Sequence, residues 1–192
     1  MVVKKEPSII RAASIGRADW VRERLVAGID PNTKGRNGYR PLHVAVNYGS
    51  IATVRSLLAS RYIQVDARNV SGITPLHLVT SPKITWMLLE KGASPNARDC
   101  TGRTPLFKIE NLIDIGKILL EHGADVNARD NNGWTPLMAA IRLGSVEMVK
   151  FLSEHDADWG ATSKFGTHTV DDLLINADEP VIDYYRQHVA RR

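Results

Sequence analysis

The side chains able to do acid–base, metal or nucleophilic chemistry are few, and their spacing does not assemble a site. The six histidines are His43, His77, His122, His155, His168 and His188. No H-x-x-x-H, H-E-x-x-H or C-x-x-C spacing occurs, so no pair of ligands is placed on one helix face or in one tight turn. Cys100 is the single cysteine, so an intrachain disulfide cannot form. It follows Asp99, and a neighbouring carboxylate disfavours the thiolate that a nucleophile needs. His122 and His155 end leucine-rich runs, where a partial positive charge suits a helix C-terminus. The glycines are spread at turn-like intervals and form no phosphate-cradling cluster. The sequence therefore predicts no catalytic residue, no metal site and no cofactor.

His43 and His77 occupy the same local context, and that context recurs. The copies are Gly38-Tyr-Arg-Pro-Leu-His43, Gly72-Ile-Thr-Pro-Leu-His77, Gly102-Arg-Thr-Pro-Leu-Phe107 and Gly133-Trp-Thr-Pro-Leu-Met138, with glycine spacings of 34, 30 and 31 residues. A weaker copy, Gly166-Thr-His-Thr-Val170, follows 33 residues later. Each strong copy is trailed by a second element, seen in "LLEKGASPNARD" (88–99) and "LLEHGADVNARD" (119–130), with looser versions at 25–35 and 57–69. Thr74, Thr104 and Thr135 stand where a hydroxyl caps a helix start, and the prolines behind them fit the first helical position, where the absent N–H costs nothing. Arg40 replaces the threonine in the second copy and predicts a poorer cap. Gly92 and Gly123 follow leucine-rich helices and fit a left-handed C-cap.

This pattern resembles the ankyrin repeat, a unit of about 33 residues with a β-turn, two antiparallel helices and a T-P-L-H-x-A signature. The resemblance covers roughly residues 7–165, with a degenerate final unit to about 190. It implies an all-α solenoid of about six units: 5–35 as N-cap, 36–69, 70–99, 100–130, 131–163, and 164–190 as C-cap. Neighbours must stack, because one helix pair cannot bury its apolar face alone. In this family the signature imidazole bonds the backbone of a neighbouring hairpin, which is what the resemblance implies for His43 and His77. Arg24 stands where other copies have leucine, on an outer face that no preceding repeat covers.

Pro82 interrupts "LVTSPKITW" and sets the expected shape of the centre. Arg40 to Arg61 and Thr135 to Asp156 both span 21 residues, whereas Thr74 to Gly92 spans 18 and Thr104 to Gly123 spans 19. The long units carry "NYGS" and "RLGS" between their helices, and the short ones lack that turn. Pro82 is therefore expected to open the second helix of the third unit, with Ser81 as its cap and Asn111 playing the same part in the fourth. The third and fourth units are expected to have shortened first helices. The shortening reads either as a local dent or as a recess that a partner enters.

Composition allows a soluble, packed domain: 43% of residues are hydrophobic and 24% charged. No apolar run approaches the roughly 20 residues of a membrane span, and the N-terminus has no secretory h-region. With one cysteine, an intracellular location in cytoplasm or nucleus is expected, or the host cytosol for a microbial effector. Residues 1–60 hold 10 Lys/Arg against 4 Asp/Glu, and residues 61–192 hold 15 against 17. The basic N-terminal third leaves open nucleic-acid or nucleotide binding as an alternative, which steeply salt-dependent retention on DNA or RNA would support. Without long basic runs or interleaved aromatics, a protein partner is the leading expectation.

The resemblance implies a non-catalytic interaction module, acting as adaptor, inhibitor or effector, that binds through its concave face and hairpin tips. Carried over residue by residue, the expected partner-binding positions are Arg36, Tyr39, Tyr48, Ile73, Arg103, Lys108, Trp134 and Arg142. Aromatic and arginine side chains are the usual hot spots of interfaces, so this mixed row predicts an acidic, partly apolar protein partner and a monomeric chain. Trp86 falls on the outer face of a second helix, as a second contact or as packing. The family also includes hairpin asparagines that an asparaginyl hydroxylase modifies, and Asn96 and Asn127 fit that context.

Overall fold

The computed structural model describes residues 8–108 and 112–189, with Phe165 described by its backbone only. Asn111 lies outside the described residues, as do residues 5–7 and 190 of the expected terminal units. Among the described residues ten α-helices follow one another: α1 (Ile9–Ser14), α2 (Ala18–Val26), α3 (Pro41–Asn47), α4 (Ile51–Leu58), α5 (Pro82–Glu90), α6 (Ile113–Glu121), α7 (Pro136–Arg142), α8 (Val146–Glu154), α9 (Val170–Ile175) and α10 (Glu179–His188). Two 3₁₀ turns, Pro75–Leu78 and Pro105–Lys108, stand where a helix would precede α5 and α6. No strand occurs among the described residues; one isolated bridge joins Thr162 and Thr169. The elements form two layers. α1, α3, the two 3₁₀ turns, α7 and α9 are neighbours in the inner layer, and α2, α4, α5, α6, α8 and α10 are neighbours in the outer layer.

The core is one leucine-rich seam between the layers. Leu42, Leu57, Leu76, Leu88, Leu119, Leu137 and Leu152 are each at most 1% exposed and come from successive repeats, so every helix pair closes its apolar face against the next. At the N-terminal end, no further helix packs outside α1 and α2 among the described residues. There Arg24, half-buried, lines an open cleft of about 530 Å³ with Ile9, Ala27 and Ile29. No described helix is long and apolar enough to cross a membrane.

Pro82 does open α5 at its first position, so the proline marks a helix start and not a kink. The shortened first helices of the third and fourth units are the two 3₁₀ turns. Their hydrogen bonding accounts for a change in capping. In α7 the carbonyl of Thr135 accepts from Ala139 N–H, which leaves Met138 N–H to the Thr135 hydroxyl at 3.3 Å. A 3₁₀ turn closes three residues back, so His77 N–H bonds the Thr74 carbonyl and Phe107 N–H bonds the Thr104 carbonyl, each at 3.1 Å. Thr74 still forms a capping box with His77, and its hydroxyl also lies 2.9 Å from His77 Nδ1. Phe107 offers no such acceptor, and the buried Thr104 hydroxyl has no partner among the described residues. The expected cap role of Thr104 is corrected accordingly. Ser81 and Asp178 occupy N-cap positions without a side-chain cap bond. Thr169 does cap the degenerate last unit, accepting from Asp172 N–H at 3.0 Å while the Asp172 carboxylate accepts from Thr169 N–H at 2.8 Å.

Candidate partner-binding surface

The hairpins that carry Ile73, Arg103 and Trp134 are built by one repeated arrangement. Asn69, Asp99 and Asp130 each aim Oδ1 at two backbone N–H groups of their own turn: Ser71 and Ile73, Thr101 and Arg103, Asn132 and Trp134, all within 2.8–3.0 Å. Successive tips are then laced backbone to backbone. Val70 N–H donates to the Asn37 carbonyl, Cys100 to Ser71, Asn131 to Thr101 and Lys164 to Asn132, at 2.7–3.1 Å. Burial alone would raise the Asp99 pKa, but hydrogen bonds from Thr101 and Arg103 and the nearby Lys108 ammonium outweigh it and hold the carboxyl below its usual range.

His43 and His77 tie one repeat to the next. Nδ1 of His43 accepts from Arg40 N–H at 3.3 Å, so its Nε2–H donates to the Ile73 carbonyl at 2.9 Å. His77 repeats the arrangement with Thr74 N–H at 3.2 Å and the Arg103 carbonyl at 3.0 Å. Both rings are buried, and burial lowers both pKa values below 6.5, partly offset by the bond to the neighbouring carbonyl. The unfolded chain therefore takes up protons near pH 6.5 that the folded chain resists. The stabilisation is complete above that pH and is lost as pH falls below it. The urea midpoint is expected to drop between pH 7 and pH 5, a window above the titration of the lowered carboxylates. A His43→Gln/His77→Gln variant should be less stable at pH 7 and should flatten that slope; an unchanged slope rules the two rings out as its cause.

The asparagines of the inter-repeat turns are equally engaged. Asn96 donates to the Gly123 carbonyl and accepts from Asp125 N–H, both at 2.8 Å, and Asn127 bonds Asp156 and Asp158 in the same way at 3.1 and 2.8 Å. Asn32 does so for Tyr62 and Gln64, at 2.8 and 2.9 Å.

The eight expected contact residues fall into distinct settings. Arg36 is exposed at the first hairpin tip and Tyr48 is 66% exposed at the end of α3. Tyr39 packs edge-on against His43 at 5.6 Å, and Ile73 is half-buried beside the turn whose carbonyl His43 holds. Arg103 and Lys108 are paired internally: Arg103 Nε lies 3.1 Å from Asp130 Oδ2 and Lys108 Nζ 3.6 Å from Asp99 Oδ2. The two carboxylates are 1% and 4% exposed, so they compensate both cations from beneath. Arg142 is exposed and stacks on Trp134 at 5.0 Å. Trp134 in turn packs on Phe107, Ala128 and Ala139, and Arg103 sits 5.7 Å from the Phe107 ring.

Arg103, Phe107, Trp134 and Arg142 thus form one connected run, two packed aromatic rings flanked by a guanidinium at each end. Phe107 was missed in the sequence. Its signal was the replacement of the signature histidine, which removes an imidazole bond and supplies a ring for Trp134.

A family model described as ankyrin repeats (3 copies) matches residues 9–99 and 80–163. The chain belongs to the ankyrin-repeat family. Among similar proteins, human ankyrin repeat domain-containing protein 53 is 33% identical over 102 residues, which is 50% of this chain and 19% of the relative. An ankyrin repeat-containing protein of Schizosaccharomyces pombe is 36% identical over 85 residues, 44% of this chain and 41% of the relative. Neurogenic locus notch homolog protein 1 of Danio rerio is 34% identical over 104 residues, 53% of this chain and 4% of the relative. The ankyrin array therefore spans less than half the length of each of these relatives. Ankyrin repeats are in general protein-interaction modules and a non-catalytic fold. Among the described residues, no cluster of three or more His, Cys, Asp or Glu is arranged to hold a metal ion.

Proposed function

We propose that this ankyrin array is a non-catalytic interaction module that binds a segment of a protein partner along its concave face and hairpin tips. The contact residues are Arg36, Tyr39, Tyr48, Ile73, Arg103, Lys108, Trp134 and Arg142. The units run 5–35, 36–69, 70–99, 100–130, 131–163 and 164–190, and the chain works as an intracellular monomer. The observation that carries the reading is the run Arg103–Phe107–Trp134–Arg142, in which apolar rings are framed by guanidinium groups. Arginine and tryptophan are the residue types that dominate binding energy at interfaces. Internal compensation refines the expected charge of the partner. Arg103 and Lys108 are neutralised by Asp130 and Asp99, whereas Arg36 and Arg142 have no carboxylate partner among the described residues. Carboxylates of the partner are therefore placed opposite Arg36 and Arg142, with apolar side chains between them.

The test is recovery of partner from cell extract by wild type and by a Tyr39→Ala/Trp134→Ala variant. Recovery is expected to fall at least about tenfold, the effect of losing one or two hot spots. Trp134 also packs on its neighbours, so Arg142→Glu, an exposed change, serves as the second variant and is expected to reduce recovery in the same direction. Undiminished recovery by both, with helical circular dichroism intact, would remove this surface from the interface.

A further inference from the structure

The convex side carries a feature that the scaffold does not require. Aligned on their buried residues, the second helices of the first five repeats place one solvent-facing position in register: Arg22 in α2, Arg55 in α4, Trp86 in α5, Lys117 in α6 and Lys150 in α8. All five are exposed. Four of them are cations, so the position is one that repeats fill with charge. Only α5 places a large apolar ring there, and it stays 44% exposed, with the Lys83 ammonium 4.7 Å from the ring centre.

Trp86 borders a groove of about 320 Å³ between α4 and α5. Its apolar lining comes from Leu58, Ala59, Met87 and the indole, and its rim carries Arg55, Lys91 and Glu90. The one carboxylate of that rim is turned towards the neighbouring helix, with Glu90 Oε1 3.6 Å from His122 Nε2. α4 itself contains no acidic residue. The surroundings of the groove are therefore cationic, through Arg55, Lys83 and Lys91, and its interior is aliphatic and aromatic.

We infer that the α4–α5 groove is a second docking surface, on the face opposite the hairpins, for an acidic segment of a partner protein that inserts one large apolar side chain beside Trp86. Charge complementarity fixes the acidic character, because three cations, Arg55, Lys83 and Lys91, surround the groove against one carboxylate, that of Glu90. The groove volume and its aliphatic lining fix the apolar anchor. A nucleic-acid strand fits less well, since the groove interior is largely aliphatic and the Lys83 ammonium already lies over the indole on which a base would stack.

The experiment uses the ¹⁵N-labelled full chain, read by amide and indole NMR shifts. The probes are the peptides EDELFEDE, KRKLFKRK and EDEGGEDE and a ten-nucleotide oligothymidine. EDELFEDE alone is expected to shift the Trp86 indole together with amides of residues 55–59 and 86–91, and to do so less at high salt. Trp86→Arg installs the residue type that the sister helices carry, so folding is retained while EDELFEDE binding weakens at least tenfold. Arg55→Glu should weaken it at least fivefold. Trp134→Ala should leave it unchanged, which separates this surface from the concave one. An equal response to EDEGGEDE or KRKLFKRK, oligothymidine binding in the groove, shifts confined to the Trp134 surface, or no shift with EDELFEDE would each overturn the inference.

Discussion

Replacing Leu119 by alanine is expected to destabilise the array by about 3 kcal/mol, within the range of about 2–5 kcal/mol for buried Leu→Ala changes. Leu119 is fully buried in α6, and α6 belongs to a repeat whose first helix is reduced to Pro105–Lys108. That repeat has less apolar material with which to close over the cavity, which places the cost well inside the range and not at its floor. The same repeat holds the buried Thr104 hydroxyl, which has no partner among the described residues. A typical domain is stable by only about 5–15 kcal/mol, so the loss is a large fraction of the total. Stability in a solenoid is a sum of repeat and nearest-neighbour terms, so weakening a central repeat uncouples the two sides. Urea unfolding followed by circular dichroism should show a lower midpoint and a broader, less cooperative transition than wild type. A midpoint shift equivalent to less than about 1 kcal/mol would show that the fourth repeat is not a structural junction.

Gly133→Ala is expected to cost about 2–3 kcal/mol, the sum of a positive-φ penalty and forced displacement of a neighbouring backbone. Gly133 has φ +79°, and a Cβ there would lie 2.5 Å from Lys164 N and 3.1 Å from Ser163 C. Lys164 N–H is the group that laces this hairpin to the next through the Asn132 carbonyl at 2.7 Å. The added methyl must push that link apart. Gly28 provides the control, since its φ is +82° but nothing lies within 4 Å of an added Cβ. Gly28→Ala should therefore lose only the conformational part, about 1 kcal/mol. Thermal melts of the two variants should differ in that order, and equal losses would show that the hairpin contact contributes nothing. Because Gly133 immediately precedes Trp134, its variant should also loosen the proposed concave surface, whereas Gly28→Ala should not.

Much of the scaffold was legible in the sequence because its determinants are local. A proline at the first helical position and a glycine at a left-handed cap both act within a few residues. Repetition then shows them several times over. The shortening of the third and fourth units could be counted directly from spacings. Pro82 could be assigned to a helix start because the missing turn was visible by comparison with "NYGS" and "RLGS". The roles of His43 and His77 followed from the family resemblance, and the structure supplied their partners.

What the tertiary structure decided was the choice among competing partners within a turn and the pairing of groups in different repeats. In the two 3₁₀ turns the Thr74 hydroxyl meets His77 Nδ1, whereas that of Thr104 has no partner among the described residues, because Phe107 offers no such acceptor. Asp130 reached back to Arg103, and Asp99 forward to Lys108, so two residues that read as free cations are internally balanced. Phe107 became the ring that joins Arg103 to Trp134. Trp86 was visible as an outer-face residue, but the groove beside it exists only where α4 meets α5. By itself the sequence determined the repeat and the shortened centre, since these are set by backbone preferences at fixed spacing. The distribution of charge and apolar surface over the finished array depends on contacts about 30 residues apart, and only the stacked repeats bring those side chains together.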